Sequence, residues 1–392
     1  NNANVSIKLP NNTYEIEKPL QMVEGVFLEA NGDDQDVVLN GMSGKIMVMK
    51  NLDNVEIKNI AFTGGGDSGI DEFGGAVYIQ SSSPKFSNVE FYNNEAMKGA
   101  AVFVENSELE IIDSDFESNS SSRGAAIYSK NSVLDLTDID IQLNDSWLTN
   151  ESGAGIYVVG GSQKHYFENL NIKGNQSPEA SAIYIGGDAD VEMYRSEISG
   201  NISDNATIFV DNAKLLLLNC TITGNYTYTS ESSSYPSIFL RNNPELFVFN
   251  SIIYGNAGPS IGALGSVYVI IANSNIEDEI YLEYIDPLDF EGNGIIVDGI
   301  ISEDPGFLIP IGYDETLPNI DGDFTLEEDS ESIDKGLHTY SHFDGNPMFV
   351  IDEDEISECA PDLGANEYMY DESPNCEECI GFGLGVNDGD IN

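Results

Sequence analysis

The stretch GGAVYIQSSSPKFSNVEFYNN, residues 74–94, contains three short apolar runs separated by Gly, Ser and Asn. Nearly the same pattern returns as GAAVFVENSELEIIDSDFESN, residues 99–119, and as GAAIYSKNSVLDLTDIDIQLN, residues 124–144. Runs of Val, Ile, Phe and Tyr that are bounded by Gly, Asn and Ser predict short β-strands. A pattern that returns at a nearly fixed interval predicts a stack of equivalent units.

The apolar-aromatic run AVYI of the first unit has counterparts throughout the chain, which begin at residues 101, 126, 155, 182, 207, 237 and 266. Three short strands per repeat predict one coil of a parallel β-solenoid, with coils stacked at about 4.8 Å. We therefore predict an all-β fold with about 25–30 residues per coil. The predicted division is a β-helix over residues 1–300, an acidic, loop-rich closing region over 301–370, and a cysteine-containing tail or linker over 371–392.

An asparagine ends the third apolar run of seven successive repeats. In a stacked solenoid these side chains would form a ladder at a turn, because amides can hydrogen-bond one another and the turn backbone. The predicted ladder consists of Asn94, Asn119, Asn144, Asn175, Asn201, Asn225 and Asn256. Several of them also occur in N-x-S/T triplets, for which glycosylation is the alternative interpretation.

The chain is strongly acidic, with 68 Asp and Glu against 15 Lys and Arg and a formal charge of −53. Phosphate binding needs clustered cations, so nucleic acid is excluded as a partner. No apolar run has the length of about 20 residues that a membrane-spanning helix needs. The charge fits either high-salt surroundings or structural calcium.

Two parts of the chain resemble known families. Gly74-Gly75-Ala76-Val77 with Phe91-x-x-Asn94 resembles the GGAI and FxxN repeats of polymorphic outer-membrane adhesins. More broadly, residues 1–300 resemble right-handed parallel β-helix proteins of the pectin-lyase-like superfold. EDPGF (303–307), GDFTLEEDSESIDKG (322–336), DGNPM (344–348) and DLGANEY (362–368) resemble the closing region of secreted, surface-anchored bacterial β-helix proteins. The resemblance implies secretion and attachment to a cell surface or matrix, without a catalytic step.

The C-terminal tail contains two further features. Asp388, Asp390 and Asn392 resemble the opening of an EF-hand-like calcium loop, which needs more oxygen ligands than these three. Cys359, Cys376 and Cys379 are disulfide candidates if the protein is extracellular, with half a zinc site as the alternative for CEEC. Cys220, within LLLLNC, is expected to be a buried apolar residue.

The leading functional hypothesis is a non-catalytic extracellular or cell-surface protein: an adhesin, a surface coat or a self-associating filament subunit. The first alternative is a calcium-dependent polysaccharide lyase or glycoside hydrolase, for which acidic residues on adjacent coils, with Arg123 between them in sequence, are the candidates: Asp113, Asp115, Asp135, Asp138 and Asp140. His165, His338 and His342 have no nucleophile at motif spacing. The second alternative is a glycan-binding module with aromatic residues in or near insertions between coils as its platform: Tyr226, Tyr228, Tyr235 and Trp147.

Overall fold

The coordinates are a computed structural model. They describe residues 4–32, 36–66, 73–146, 153–161, 163–227, 235–277, 281–283, 294–311, 320–341, 347–351 and 360–366. Within these ranges all regular structure is β, and every pairing among the strands from Val5 to Ile301 is parallel. This confirms the predicted all-β parallel solenoid.

The strands follow one another around the coils in a regular order. Those of the first half of the chain are β1 Val5–Leu9, β2 Asn12–Glu15, β3 Leu20–Gln21, β4 Val26–Ala30, β5 Val37–Gly44, β6 Met47–Lys50, β7 Val55–Lys58, β8 Ala61–Gly65, β9 Val77–Gln80, β10 Pro84–Ser87, β11 Glu90–Tyr92, β12 Glu95–Lys98, β13 Val102–Glu105, β14 Glu108–Glu117, β15 Ser120–Arg123, β16 Ile127–Lys130, β17 Val133–Gln142, β18 Ile156–Val159, β19 Lys164–Lys173, β20 Gln176–Ser177 and β21 Ala180–Gly186. Those of the second half are β22 Asp190–Tyr194, β23 Glu197–Ser199, β24 Ile202–Ser203, β25 Ala206–Asp211, β26 Lys214–Leu218, β27 Thr221–Thr223, β28 Tyr226–Thr227, β29 Ile238–Arg241, β30 Glu245–Phe249, β31 Ile252–Tyr254, β32 Ile261–Leu264, β33 Tyr268–Ile276, β34 Tyr281–Glu283, β35 Gly294–Ile301, β36 Phe307–Ile309, β37 Asp323–Leu326, β38 Thr339–Ser341 and β39 Pro347–Val350.

Each coil has three walls. In one coil the first wall is β10, the second wall is β11 and the third wall is β13, with the short strand β12 in the turn before the third wall. In some coils a single strand such as β14 or β17 forms both the first and the second wall. Strand alternation turns one set of side chains into the coil and the other set outward.

The interior of the coils is a continuous apolar core. Phe62, Phe91 and Phe116 lie in register on successive second walls, with ring centroids 4.8 and 4.9 Å apart. All three rings are fully buried. Burial of apolar surface contributes about 25 cal/mol per Å², so the continuous apolar core is the main source of stability.

A sharp corner separates the first wall from the second wall in most coils. The corner residue adopts positive φ, which Asn and Asp tolerate better than other side chains. This corner column consists of Asn59, Asn88, Asp113, Asp138, Asn169, Arg195, Asn219, Asn250, Asn273 and Gly299. The repeated Asn and Asp between the first wall and the second wall therefore have a conformational role.

The outer side of the third wall has an aromatic column of its own. Successive rings lie 4.4–5.6 Å apart and within 21° of parallel. The column consists of Tyr78, Phe103, Tyr128, Tyr157, Tyr184 and Phe209. Arg123 lies over the Tyr157 ring at 5.8 Å and Arg241 over the Phe209 ring at 4.7 Å.

The closing region packs against the outer side of the last coils. Phe349 and Tyr340 contact Phe249 of the first wall, with ring centroids 5.1 and 4.7 Å from that of Phe249. Asn250 of the corner column donates to the Leu337 carbonyl at 2.9 Å and accepts from the Leu337 amide at 2.7 Å. Thus β38 and β39 cover the flank of the solenoid.

Candidate functional site

The outer face of the first wall changes character along the solenoid. One outward column runs through Glu110, Asp135, Tyr166 and Glu192 and then through the apolar residues Leu216, Phe247 and Ile270. Leu216, Phe247 and Ile270 are at most 3% exposed, because the closing region covers them. The boundary between the open polar part and the covered apolar part lies beside Glu192.

A cleft of about 400 Å³ occupies this boundary. The first wall and its corner contribute six lining residues: Tyr166, Glu168, Tyr194, Arg195, Leu218 and Asn219. The closing region contributes the other five: Phe349, Val350, Ile351, Gly364 and Ala365. The volume falls within the range of about 300–1,000 Å³ that is usual for small-molecule sites.

Two tyrosines provide the aromatic surface of the cleft. The rings of Tyr166 and Tyr194 are 5.0 Å apart and tilted by 34°, and Tyr166 is 39% exposed. The Tyr194 hydroxyl donates to Glu192 Oε2 at 2.8 Å, which fixes the orientation of its ring. An exposed tyrosine ring next to fixed polar groups combines an apolar contact surface with hydrogen-bonding capacity.

The charged side chains around the cleft occur as ion pairs. Arg195 pairs with Glu168, and Lys164 pairs with Glu192 on the neighbouring strand. Hydrogen bonding to Glu192 raises the pKa of Lys164, so that its ammonium stays protonated at neutral pH. Burial and the Glu168 carboxylate raise the pKa of Tyr166 to about 12, and burial together with Glu192 raises that of Tyr194.

The raised pKa values of Lys164, Tyr166 and Tyr194 keep these side chains protonated at neutral pH, and an arginine is not deprotonated in proteins. Glu168 is the acidic side chain that lines the cleft. The cleft offers hydrogen-bond donors, acceptors and an aromatic face.

A second polar surface lies on the second wall. Glu90, Asp115 and Asp140 follow one another in register, then Asn171 and Glu197. Burial and the neighbouring carboxylates raise the pKa of Glu90 and of Asp115, and burial raises that of Glu197 to about 7. No group of three or more His, Cys, Asp or Glu side chains in the described ranges is arranged to hold a metal ion.

The seven predicted ladder asparagines form one buried column. Each of the first six donates from Nδ2 to Oδ1 of the next asparagine at 2.9 or 3.0 Å, as from Asn119 to Asn144 and from Asn144 to Asn175. Each Nδ2 also donates to a backbone carbonyl of the preceding coil, as from Asn144 to Phe116 at 3.0 Å. The column lies inside the turn, so these asparagines are not accessible for glycosylation in the folded state.

The predicted aromatic platform is described only in part. Tyr226 lies in β28 and is half-buried, directly after the ladder position Asn225. Tyr235 is 40% exposed, and its carbonyl accepts from Thr227 Oγ1 at 2.8 Å. Tyr228, Trp147, the disulfide candidates Cys359, Cys376 and Cys379, and the calcium-loop residues Asp388, Asp390 and Asn392 lie outside the described residues.

The acidic candidates for catalysis occupy three separate columns. Asp115 and Asp140 are in register on the second wall, whereas Asp113 and Asp138 are corner residues and Asp135 lies on the first wall. Arg123, which lies between them in sequence, is part of β15 and lies beside the aromatic column.

Two residues that the sequence analysis singled out lie in the interior. His165 is fully buried, and its Nδ1 accepts from the Leu134 amide at 3.2 Å. Burial lowers its pKa to about 4. Cys220 is a buried free thiol, as the sequence predicted.

The cleft residues Tyr166, Tyr194 and Arg195 were missed from the sequence. One signal for the boundary was present, because LLLL at 215–218 and LFVF at 246–249 lack the alternation of the earlier first-wall strands. A strand without alternation indicates burial on both faces, and hence a covering segment. The loss of alternation therefore predicts a covered segment whose edge lies beside the polar part of the first wall.

One family model and several solved structures are similar to this chain. Residues 141–298 match the family model described as the right handed beta helix region. Among solved structures, the pectate lyase Pel9A has 15% identity with a TM-score of 0.40, covering 93% of this chain and 88% of the other. A PL6 alginate lyase complexed with a trisaccharide has 12% identity with a TM-score of 0.46, covering 94% and 91%. The surface adhesin PfbA of Streptococcus pneumoniae has 14% identity with a TM-score of 0.31, covering 88% and 91%.

These likenesses are too weak to transfer an activity. Comparison with curated proteins gave no match. The described residues include no helix long and apolar enough to cross a membrane. The chain therefore folds as a parallel β-solenoid, and residues 141–298 of it match the right handed beta helix region.

Proposed function

We propose that the protein is a non-catalytic, extracellular glycan-binding protein of the adhesin or surface-coat type, which holds a glycan in the cleft over Tyr166 and Tyr194. The exposed Tyr166 ring beside the Arg195–Glu168 ion pair supports this proposal most directly. The ring face packs against sugar C–H groups, while the guanidinium and carboxylate exchange hydrogen bonds with hydroxyls.

The charge of the chain bears on the kind of glycan. The two charges of each ion pair in and beside the cleft neutralise one another, whereas the chain as a whole has a net charge of −53. An acidic polysaccharide would meet long-range repulsion that the cleft does not offset. The proposed ligand is therefore a neutral glycan.

A glycan array probed with the purified chain tests this proposal. Tyr166→Ala should lower affinity for bound neutral glycans at least tenfold, a factor that corresponds to about 1.4 kcal/mol. Tyr235→Ala is the matched control, because it removes an equally exposed tyrosine outside the cleft. Loss of binding in the Tyr235 variant alone would instead place the site on the predicted insertion platform.

A glycoside hydrolase is the second candidate function. Its support is Glu197, whose pKa burial raises to about 7, on the same wall as Asp140. A protonated carboxyl and an ionised carboxylate near a sugar are the two groups that glycosidases use. A non-catalytic protein should produce no new reducing ends when it is incubated with neutral polysaccharides. New reducing ends that the unaltered protein produces and the Glu197→Gln variant does not would establish the hydrolase.

Secretion, surface attachment and structural calcium belong to the same proposal. The support for calcium is the density of carboxylates in the C-terminal region. Calorimetry with calcium chloride against sodium chloride of equal ionic strength separates binding from screening. Equal effects of both salts would leave screening alone.

End-to-end self-association is also proposed. Val5 and Ile7 of β1 are 52% and 42% exposed, and Ile295 and Val297 of β35 are 37% and 49% exposed. These residues continue the inner columns of the first wall. Apolar side chains at core positions therefore face solvent in β1 and in β35, the first and the last described strands of that wall. Ile7→Asp should reduce a concentration-dependent increase in mass in sedimentation, and a monomer at all concentrations would contradict the proposal.

A further inference from the structure

The cleft is open along the solenoid axis in one direction and closed in the other. Toward the N-terminus its outward column continues through Asp135, Glu110 and Lys85. These side chains are exposed; the Lys85 and Glu110 side chains are 38% and 41% accessible. The described residues of the closing region pack against coils that come after those of Lys85, Glu110 and Asp135.

Toward the C-terminus the same column is covered at once. Leu216 and Phe247, the next two residues after Glu192, are 3% and 2% exposed beneath the cluster that contains Phe349. A second segment beside this cluster, residues 360–366, is held by hydrogen bonds of its backbone to the corner column. The Gly364 amide donates to the Asn250 carbonyl at 2.8 Å, and the Asp362 carbonyl accepts from Asn219 Nδ2 at 3.2 Å.

We propose that the cleft recognises the end of a linear glycan chain, with the rest of the chain extending over Asp135 and Glu110 toward the N-terminal coils. This inference rests on the proposed glycan-binding function. A chain that lies along the column can leave only toward the N-terminus, because Phe349, Val350 and Leu218 stand where the next sugar residue would lie. Its terminal residue therefore occupies the position over Tyr166 and Tyr194.

The stoichiometry of binding distinguishes end recognition from recognition of chain interiors. Pullulan, xylan and mannan serve as probes, each as a short and a long size fraction of measured chain length. Light scattering coupled to size-exclusion chromatography gives the number of protein molecules per polysaccharide chain. End recognition predicts one protein per chain at saturation in both fractions of the polysaccharide that binds.

The opposite results have separate meanings. A number of bound proteins that rises with chain length would overturn end recognition and leave the proposed function in place. No binding of these probes, or of any neutral glycan on the array, would overturn the proposed function and the inference together.

A variant outside the cleft provides an independent readout. Asp135→Ala removes an exposed polar group one coil away from Tyr166, and it does not alter the cleft lining. It should weaken binding of a hexasaccharide of the bound polysaccharide severalfold and leave the affinity for the corresponding monosaccharide unchanged. Glu245→Ala, on the first wall beyond the barrier, is the control and should change neither affinity. Equal affinities of the Asp135 variant and the unaltered protein for the hexasaccharide would contradict the proposed path.

Discussion

Removal of one ladder asparagine is a direct test of how the coils are held in register. Asn144 takes part in four hydrogen bonds with neighbouring coils. Its Nδ2 donates to Asn175 Oδ1 at 2.9 Å and to the Phe116 carbonyl at 3.0 Å. Its Oδ1 accepts from the amide and from Nδ2 of Asn119, both at 3.0 Å. Asn144→Ala removes all four and leaves the buried Asn119 amide without this acceptor.

The expected cost follows from these bonds. Each buried hydrogen bond contributes about 0.5–1.5 kcal/mol net, so that four give about 2–6 kcal/mol. The loss should lie in the upper half of this range, because a stranded buried amide costs about 1–3 kcal/mol. Such a loss is a large fraction of a typical unfolding free energy of about 5–15 kcal/mol.

Urea denaturation followed by far-ultraviolet circular dichroism measures this loss, and hydrogen exchange at the Asn119 amide localises it. Asn12→Ala is the matched control, because Asn12 is an exposed residue of β2 outside the ladder. The control should change stability by about 0.5 kcal/mol or less. A difference between the two variants below about 1 kcal/mol would refute the ladder as a stabilising element.

Four further predictions concern single residues. Tyr157→Leu should lower the free energy of unfolding in urea by about 1–3 kcal/mol, since it removes two aromatic contacts worth about 0.5–1.5 kcal/mol each; a change within error would contradict this. The folded-state pKa of Glu197, about 7 against 4.5, implies that its contribution to stability is full below pH 4.5 and is lost as pH rises to 7. Glu197→Gln should therefore raise the melting temperature, relative to the unaltered protein, by more at pH 8 than at pH 4. A larger increase at pH 4 would refute the burial of this carboxyl. Cys220, whose pKa burial raises to about 12, should resist iodoacetamide at pH 8 until urea unfolds the chain, as peptide mass spectrometry would detect; rapid native labelling would contradict its burial. Phe349→Ala should release the closing region and increase binding of a hydrophobic dye, and an unchanged dye signal would show that β39 is held by other contacts.

The fold could be predicted because each coil repeats its instructions locally. Gly74-Gly75-Ala76-Val77 and Phe91-x-x-Asn94 place a wall, a turn and a ladder position within one repeat, and neighbouring repeats copy them in register. The same local logic explains the burial of Cys220, which continues an inward-facing apolar run.

The cleft could not be predicted in the same way. It forms where residues 349–351 and 364–365 meet Tyr166 and Arg195, which lie more than 150 residues earlier. No repeat encodes that contact; it depends on which part of the first wall loses its polar alternation and on what covers it. The sequence predicts a binding platform at the insertion around Tyr235 because insertions project from a solenoid, whereas the cleft arises from a segment that packs back onto the solenoid.

A crystal structure of the protein with the neutral oligosaccharide selected on the glycan array is the most direct test of the central claim. We expect a terminal sugar ring over Tyr166 and Tyr194, with its hydroxyls bonded to Arg195 and Glu168 and the next residue over Asp135. A sugar bound on the second wall, at the Tyr235 insertion or across the solenoid axis would contradict this account.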